Sequence, residues 1–488
     1  MRTHNDIGNR YGDLLVYGSG ILFIIVNALL VYRGTWYLML FPFLVGALYL
    51  AFFSPVRLFM AVVFLTPLSV ELSRIAGGVP LDLYLPTEPL IILIMIVVLL
   101  RLVYDGTMDR DILYHPVSLA VLFYLLWILI TTMTSTMPLV SVKFLFVRLW
   151  FITVFYFLAI RIFRRHSNIR VFLWCYIAAL MVVVFYTLYN HAAYGFIAQR
   201  AAHWVVRPFY NDHTAYGAAL AMFIPVLAVF AFRRKGPVSH RRFAGILLVL
   251  FAVALVFSYS RAAWLSIVAA FCVWVLIRLR IGFGTLLAFS LTAALLVFLL
   301  RNDIVREMER NTQDSSADFR EHIRSMTNIT SDASNLERLN RWKAALAMFR
   351  EKPLLGWGPG TYMFRYAPFQ VSYDRTIIST NMADGGDAHS EYLGPLSETG
   401  LPGMLSFIAV VALTLTTGFR LLRQLKKRGD RLLATGVLLG LTTYLVHGFL
   451  NNFLHSDKAA VPFWGFAAIL VAMDLYRKKV SGIQTPGW

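Results

Sequence analysis

Phe243 to Arg278 reads FAGILLVLFAVALVFSYSRAAWLSIVAAFCVWVLIR. Two apolar runs, 243–260 and 262–278, meet at a tight polar turn around Ser258–Ala262. Each run is close to the roughly 20 apolar residues that a helix needs to cross the hydrocarbon of a bilayer. The joint is too short for anything but a reversal of direction. The stretch therefore reads as a hairpin of membrane helices with Arg261 at its rim. A charge held at such a junction is costly unless it has a partner.

The same rhythm of apolar runs and short polar gaps extends in both directions. Spans are expected at about 14–32, 36–53, 57–73, 87–104, 117–136, 143–161, 170–189, 213–232, 243–260, 262–278, 282–300, 402–420, 431–451 and 459–476. The third is the weakest, because Pro67 and Glu71 interrupt it. Composition agrees. Of 488 residues, 58% are hydrophobic and 15% charged, which excludes a soluble globular chain. Mean hydropathy is +0.65. The runs are of helix length, which argues against a porin-like barrel of short alternating strands. The fold class expected is an all-α polytopic membrane protein with about 12–14 transmembrane helices. No cleavable signal peptide is evident. Cys175 and Cys272 lie inside apolar runs, so no disulfide framework is expected.

The net charge of +19 does not indicate nucleic acid. The gaps 161–170, 233–242, 278–280, 420–431 and 477–479 hold 20 Lys and Arg against one acid, Asp430. The whole excess sits in a few short loops, as the positive-inside pattern requires. With 233–242 cytoplasmic, alternation puts the other basic gaps and both chain ends on that side. Three segments fall outside: 190–212, the Ser258–Ala262 turn and the polar interval 301–401. That interval carries 12 Lys and Arg against 14 Asp and Glu. The chain thus divides into a helix bundle at 1–300, a large external loop at 301–401 and C-terminal spans at 402–488.

Inside the loop, 335–349 places Leu336, Leu339, Trp342, Ala345 and Leu346 at helical spacing. This predicts an amphipathic helix on the membrane face, stopped by Pro353. Gly356-Trp-Gly-Pro-Gly360 reads as a turn. A second helix is expected from Asp387 as N-cap, with Glu391 in its first turn, running to Glu398 and stopping at Thr399–Pro402.

Arg207, Arg261, Arg338 and His389 all fall on the external side at about one depth. Taken singly, a rim arginine is most often a snorkelling anchor or lipid contact. Taken together, they suit a lipid-linked diphosphate. Arginine offers a planar fork to phosphate oxygens and stays charged. A neutral histidine, with an ordinary pKa of about 6.5, suits proton removal from a hydroxyl. On local sequence alone, His389 reads first as a capping or hydrogen-bonding residue. Lys143 and Arg148 are secondary phosphate contacts or interfacial anchors. No metal centre is expected: there is no His-Glu-x-x-His, and His191, His203 and His213 are not at ligand spacing. Asp384, Asp387 and Glu391 form only one short acidic cluster. His447 reads as a packing residue.

These residues resemble a known family, the O-antigen ligase and polymerase superfamily of bacterial polysaccharide assembly. Ser258-Tyr-Ser-Arg261-Ala-Ala-Trp264 is similar to its Ser-Arg motif at a helix junction. Arg338-Leu-Asn-Arg-Trp342, followed by Pro353-Leu-Leu-Gly-Trp-Gly-Pro-Gly360, resembles its loop-helix and turn signature. His389-Ser-Glu-Tyr-Leu-Gly-Pro-Leu-Ser-Glu-Thr-Gly400-Leu-Pro-Gly403 is similar to its His-Asn-x-x-Leu…Gly-Leu-x-Gly signature, with Ser390 in place of the commoner Asn. Arg207-Pro-Phe-Tyr-Asn211 resembles the segment entering a span ahead of the Ser-Arg motif.

The resemblance implies a GT-C-like, metal-independent glycosyltransferase of the bacterial inner membrane, working at its periplasmic face without a cofactor. The donor would be a glycan on undecaprenyl diphosphate. The acceptor would be a sugar hydroxyl of lipid A–core in the ligase branch, towards which the signature leans, or another lipid-linked repeat unit in the polymerase branch. The family's arginines map onto Arg261 and Arg338, and its catalytic histidine onto His389. A lipid-linked oligosaccharide transporter is the competing class. Such carriers hold substrate near the midplane between repeats, and this chain shows no repeat.

Overall fold

The computed structural model describes residues 3–75, 83–106, 109–233, 237–279, 333–370 and 386–477, with single positions between 284 and 292. The span expected at 282–300 falls largely outside the described residues. So do 301–332 and 371–385 of the polar interval, including Asp384.

Residues 1–59 form one compact unit and residues 60–488 another. The first holds helices α1 (Thr3–Tyr32) and α2 (Phe41–Phe53), and α3 (Pro55–Leu65) follows. Two strands of two residues each come next, β1 (Val70–Glu71) and β2 (Tyr84–Leu85), paired antiparallel with Val70 opposite Leu85. The remaining long elements are helices: α4 (Thr87–Asp105), α5 (Pro116–Met133), α6 (Pro138–Phe163), α7 (His166–Ala193), α8 (His213–Phe232), α9 (Val238–Phe257) and α10 (Arg261–Arg278). After the polar interval begins come α11 (Ala333–Glu351), α12 (Leu393–Gln424), α13 (Arg428–His447) and α14 (Asp457–Tyr476).

Among the described residues, nine helices are long and apolar enough to cross a membrane: α4 to α10, α12 and α14. Shorter apolar helices cover 17–32, 37–53 and 55–68. This is the all-α polytopic architecture that the apolar runs predict. Outward-facing positions carry large apolar side chains such as Leu99, Phe185, Ile246 and Phe271, as lipid contact requires. Both cysteines are free.

Local chemistry sets the element ends. Pro116 and Pro138 open α5 and α6, where the missing N–H costs nothing. Asp212 caps α8 by accepting the Thr214 N–H at 3.1 Å. Ser260 caps α10 through the Ala263 N–H at 3.4 Å. α14 is the centre of the second unit and is buried along nearly its whole length. Around it, α8 packs on α9 and α13, α10 packs on α13, and α12 packs on α5 and α11.

Three expectations are corrected. The third span does not reach residue 73. Its helix ends at Leu65, a single 3-10 turn holds Thr66–Leu68, and Glu71 lies in β1. Pro67 denies the helix an N–H. The loop helix forms as α11, but its buried face is Glu337, Asn340, Arg341, Ala344, Ala345 and Met348. Leu346, on the predicted apolar stripe, is exposed. The second loop helix begins at Leu393, not beside Asp387, and is continuous with the following span except at Gly400. Gly400 has φ 70° and ψ −175°, a conformation closed to other residues, so the break falls within the expected 399–402 stop.

The buried start of α14 anchors the neighbouring loops. Lys458 Nζ donates to the carbonyls of Thr66 and Ser69, each at 2.7 Å. Asp457 Oδ2 accepts the hydroxyls of Ser69 and Thr87, each at 2.6 Å. The strand pair held this way receives Asn211 Nδ2, which donates to Glu71 Oε2 at 2.8 Å and to Tyr84 at 3.0 Å. The segment entering α8 is thereby fixed.

Candidate active site

The α9–α10 turn is built from its own side chains. Ser258 Oγ donates to Leu255 O at 2.7 Å, and Trp264 Nε1 donates to the same carbonyl at 2.9 Å. Tyr259 takes φ 51°, which reverses the chain within one residue. Arg261 is then the first residue of α10, half-buried. A helix N-terminus carries partial positive charge, so a cation there opposes the dipole. The two together favour an anion. The neighbouring helix locks the turn: His213 Nδ1 donates to Ser258 O at 2.8 Å.

α11 supplies two further guanidinium groups. Arg338 is half-buried, and its Nε donates to Leu450 O at 3.2 Å. Arg341 is buried. Its Nε donates to Glu337 Oε1 at 2.7 Å, one Nη donates to Asp387 O at 3.2 Å, and its guanidinium carbon lies 4.8 Å from the centre of the Tyr366 ring. Gly386 makes room for it. A Cβ there would come within 1.6 Å of an Arg341 nitrogen.

The segment 386–392 carries His389 in an irregular, heavily tied stretch. Asp387 Oδ1 accepts from Asn452 Nδ2 at 3.0 Å. His389 has φ 48°, unusual for a residue with a side chain. Ser390 Oγ accepts the N–H groups of Tyr392 and Leu393, each at 3.3 Å, and so opens α12. Glu391 Oε1 accepts three donors: Tyr444 OH at 2.7 Å and the N–H groups of Phe453 and Leu454 at 2.8 Å. The backbone of Glu391 donates to Gly448 O at 2.8 Å. Glu391 is therefore an anchor to the α13–α14 turn and not part of a helix's first turn.

His389 has its pKa lowered by burial and by the charges of Arg338 and Arg341, while Asp387 and Asp212 act in the opposite sense. The four charges that act on it come from α11, its own segment and the start of α8. Burial and the two guanidinium groups favour the neutral ring. Arg261 follows the turn that His213 ties to the Asp212 end of α8.

Arg207 is exposed on the segment leading into α8, and its carbonyl accepts from Tyr186 OH at 2.8 Å. Lys143 is exposed on α6. Arg148 is buried, with one Nη on Leu454 O at 2.7 Å and the Phe144 ring centre 4.9 Å away. It braces the α13–α14 turn from inside. His447 is buried, with its Nε2 3.1 Å from Asn451 Nδ2.

Sequence reasoning missed that turn, 448–456. It accepts from Arg338 and Arg148, donates to Glu391 and holds Asp387. The signal available was Asn451-Asn452 between two apolar runs. Arg341 was also missed, three residues past Arg338 on one helix face.

The fold defines a polytopic helical membrane protein whose Arg261 opens α10, whose Arg338 and Arg341 lie on α11, and whose His389 lies on the segment leading into α12. Residues 246–408, roughly a third of the chain, match the family model described as O-antigen ligase. The match takes in Arg261, Arg338 and His389, and it supports membership of the O-antigen ligase and polymerase superfamily. No curated protein matches the chain.

Proposed function

We propose that the protein transfers a glycan en bloc from undecaprenyl diphosphate to a sugar hydroxyl of lipid A–core, at the periplasmic face of the bacterial inner membrane. The observation that carries this reading is His389, its pKa lowered, within reach of the charges of Arg338 and Arg341. The family match supports ligase or polymerase chemistry in general.

In this reading Arg261 and Arg338 bind the diphosphate, with Arg207 at the edge. His389 takes the proton of the acceptor hydroxyl as its oxygen attacks the anomeric carbon. The bond from that carbon to the diphosphate oxygen breaks, and the electron pair leaves with the diphosphate. Preorganised guanidinium groups stabilise the charge that develops there, an effect of order 10²–10³ per donor in comparable sites. The single displacement inverts the anomeric centre. No step requires a metal. Arg341, engaged by Glu337 and Asp387, orients the His389 segment and tunes its charge.

The test is reconstitution with a polyprenyl-diphosphate glycan and two competing acceptors. Product on lipid A–core supports the ligase reading. A ladder of lengthening lipid-linked chains makes the protein a polymerase with the same site. Movement of the lipid-linked glycan across liposomes without product would replace both with transport.

A further inference from the structure

Three donor groups, none of which binds substrate in the proposed transfer, meet beside the site, and one of them, Asp212, also acts by its charge on His389. His203 lies on the short helix Ala202–Val205, and Asp212 and His213 begin α8. One ligating atom from each lies within 4.8 Å of the other two. The rings of His203 and His213 have centres 4.2 Å apart and stand at 73°. The residues are ten apart in sequence, and the fold closes the distance.

The state of each donor is set by a second contact. The Ser258 carbonyl can only accept, so Nδ1 of His213 carries the proton in their 2.8 Å hydrogen bond. In the neutral ring, Nε2 then holds a bare lone pair, and it lies 3.6 Å from Asp212 Oδ1. A carbonyl on the far nitrogen is the usual way a metal-binding histidine has its tautomer fixed. The Asp212 carboxylate is oriented by the N–H and hydroxyl of Thr214. His203 is exposed, so an ion can enter from solvent. Bonds of about 2.0–2.2 Å in a tetrahedral site place donors roughly 3.3–3.5 Å apart. The His213–Asp212 pair, at 3.6 Å, is close to that spacing, and rotation of the exposed His203 side chain brings in the third.

We propose that His203, Asp212 and His213 bind one zinc-class divalent metal ion, with a fourth position open to water or an anionic oxygen. Two imidazoles and one carboxylate are a borderline donor set of the kind that suits zinc or cobalt and not calcium or magnesium. The ion would clamp the 203–213 segment to the α9–α10 turn through His213 and Ser258, steadying Arg261 without entering the transfer step. Arg207, whose charge acts on His203, opposes a cation, and the Asp212 carboxylate offsets it. The proposal stands apart from the transferase reading, and its test reads metal instead of product.

The full-length protein, free of any histidine tag, is stripped with chelator in detergent and titrated with Co²⁺, followed by visible absorption and zinc competition. One equivalent with tetrahedral-type bands, displaced by Zn²⁺, is expected. His203→Ala should weaken binding at least ~10-fold, and so should Asp212→Asn, which keeps the helix cap. His240→Ala, on an exposed site elsewhere, should leave it unchanged. Absence of stoichiometric cobalt, or equal binding in the parent and both site variants, would overturn the proposal and leave a His213–Asp212 ion pair with a neighbouring ring.

Discussion

The carboxylate of Glu391 accepts the backbone N–H of Leu454 at 2.8 Å, and this bond hangs the His389 segment on the α13–α14 turn. The same oxygen serves Phe453 and Tyr444. Buried hydrogen bonds to a charged group are worth about 1.5–3 kcal/mol each, and orphaned donors add a penalty. Glu391→Ala should therefore lower stability by roughly 3–5 kcal/mol, read as a fall in the midpoint of thermal unfolding in detergent. Glu391→Gln keeps an acceptor and should cost less.

The pH dependence follows from His389. Its pKa is lowered, so the base stays neutral below the ordinary histidine value of about 6.5, and the acid limb of kcat/KM should lie below that pH. Asp387 raises that pKa, so Asp387→Asn should lower it further and move the limb to more acid pH. Arg341 lowers it, so Arg341→Gln should move the limb the other way. Opposite shifts in the two pH–rate profiles would check the sign; a common direction would contradict it.

Gly386 stands where a side chain has no room. Its Cβ would meet the Arg341 guanidinium, itself held by Glu337. Gly386→Ala should displace that group at a cost of about 1–3 kcal/mol. Arg341→Leu alone leaves Glu337 charged and buried, and should cost about 3–5 kcal/mol. Thermal unfolding of the Glu337→Leu, Arg341→Leu double variant should show most of that loss recovered.

Much of this was legible in the sequence. Apolar runs of span length announced the bundle, because lipid forces the backbone to satisfy itself within each helix. Ser258–Ala262 announced the reversal. The start of α12 was not legible. Asp387 looks like a cap, but Asn452 and Arg341 claim its side chain and carbonyl from afar. Local capping chemistry lost to tertiary partners. The buried face of α11 was hidden for a related reason: Glu337, Asn340 and Arg341 are polar, and only partners such as Gln370 and Asp387 make their burial affordable. The 448–456 turn carried no motif, since its work is done largely by backbone groups.

Arg338 differs from Arg341 in having part of its surface open to a ligand. Arg338→Gln should lower kcat by ~10²–10³ with little change in unfolding midpoint, if its role is to stabilise developing charge. Single-turnover rates with lipid-linked glycan, beside a melting curve, separate this from misfolding.

In the proposed transfer, His389 removes the acceptor proton. The most direct measurement compares the purified parent and His389→Ala in proteoliposomes holding the lipid-linked glycan and lipid A–core. A fall in product formation of ~10²–10⁴, with unchanged unfolding and donor binding, is predicted. Full activity in His389→Ala would contradict the account.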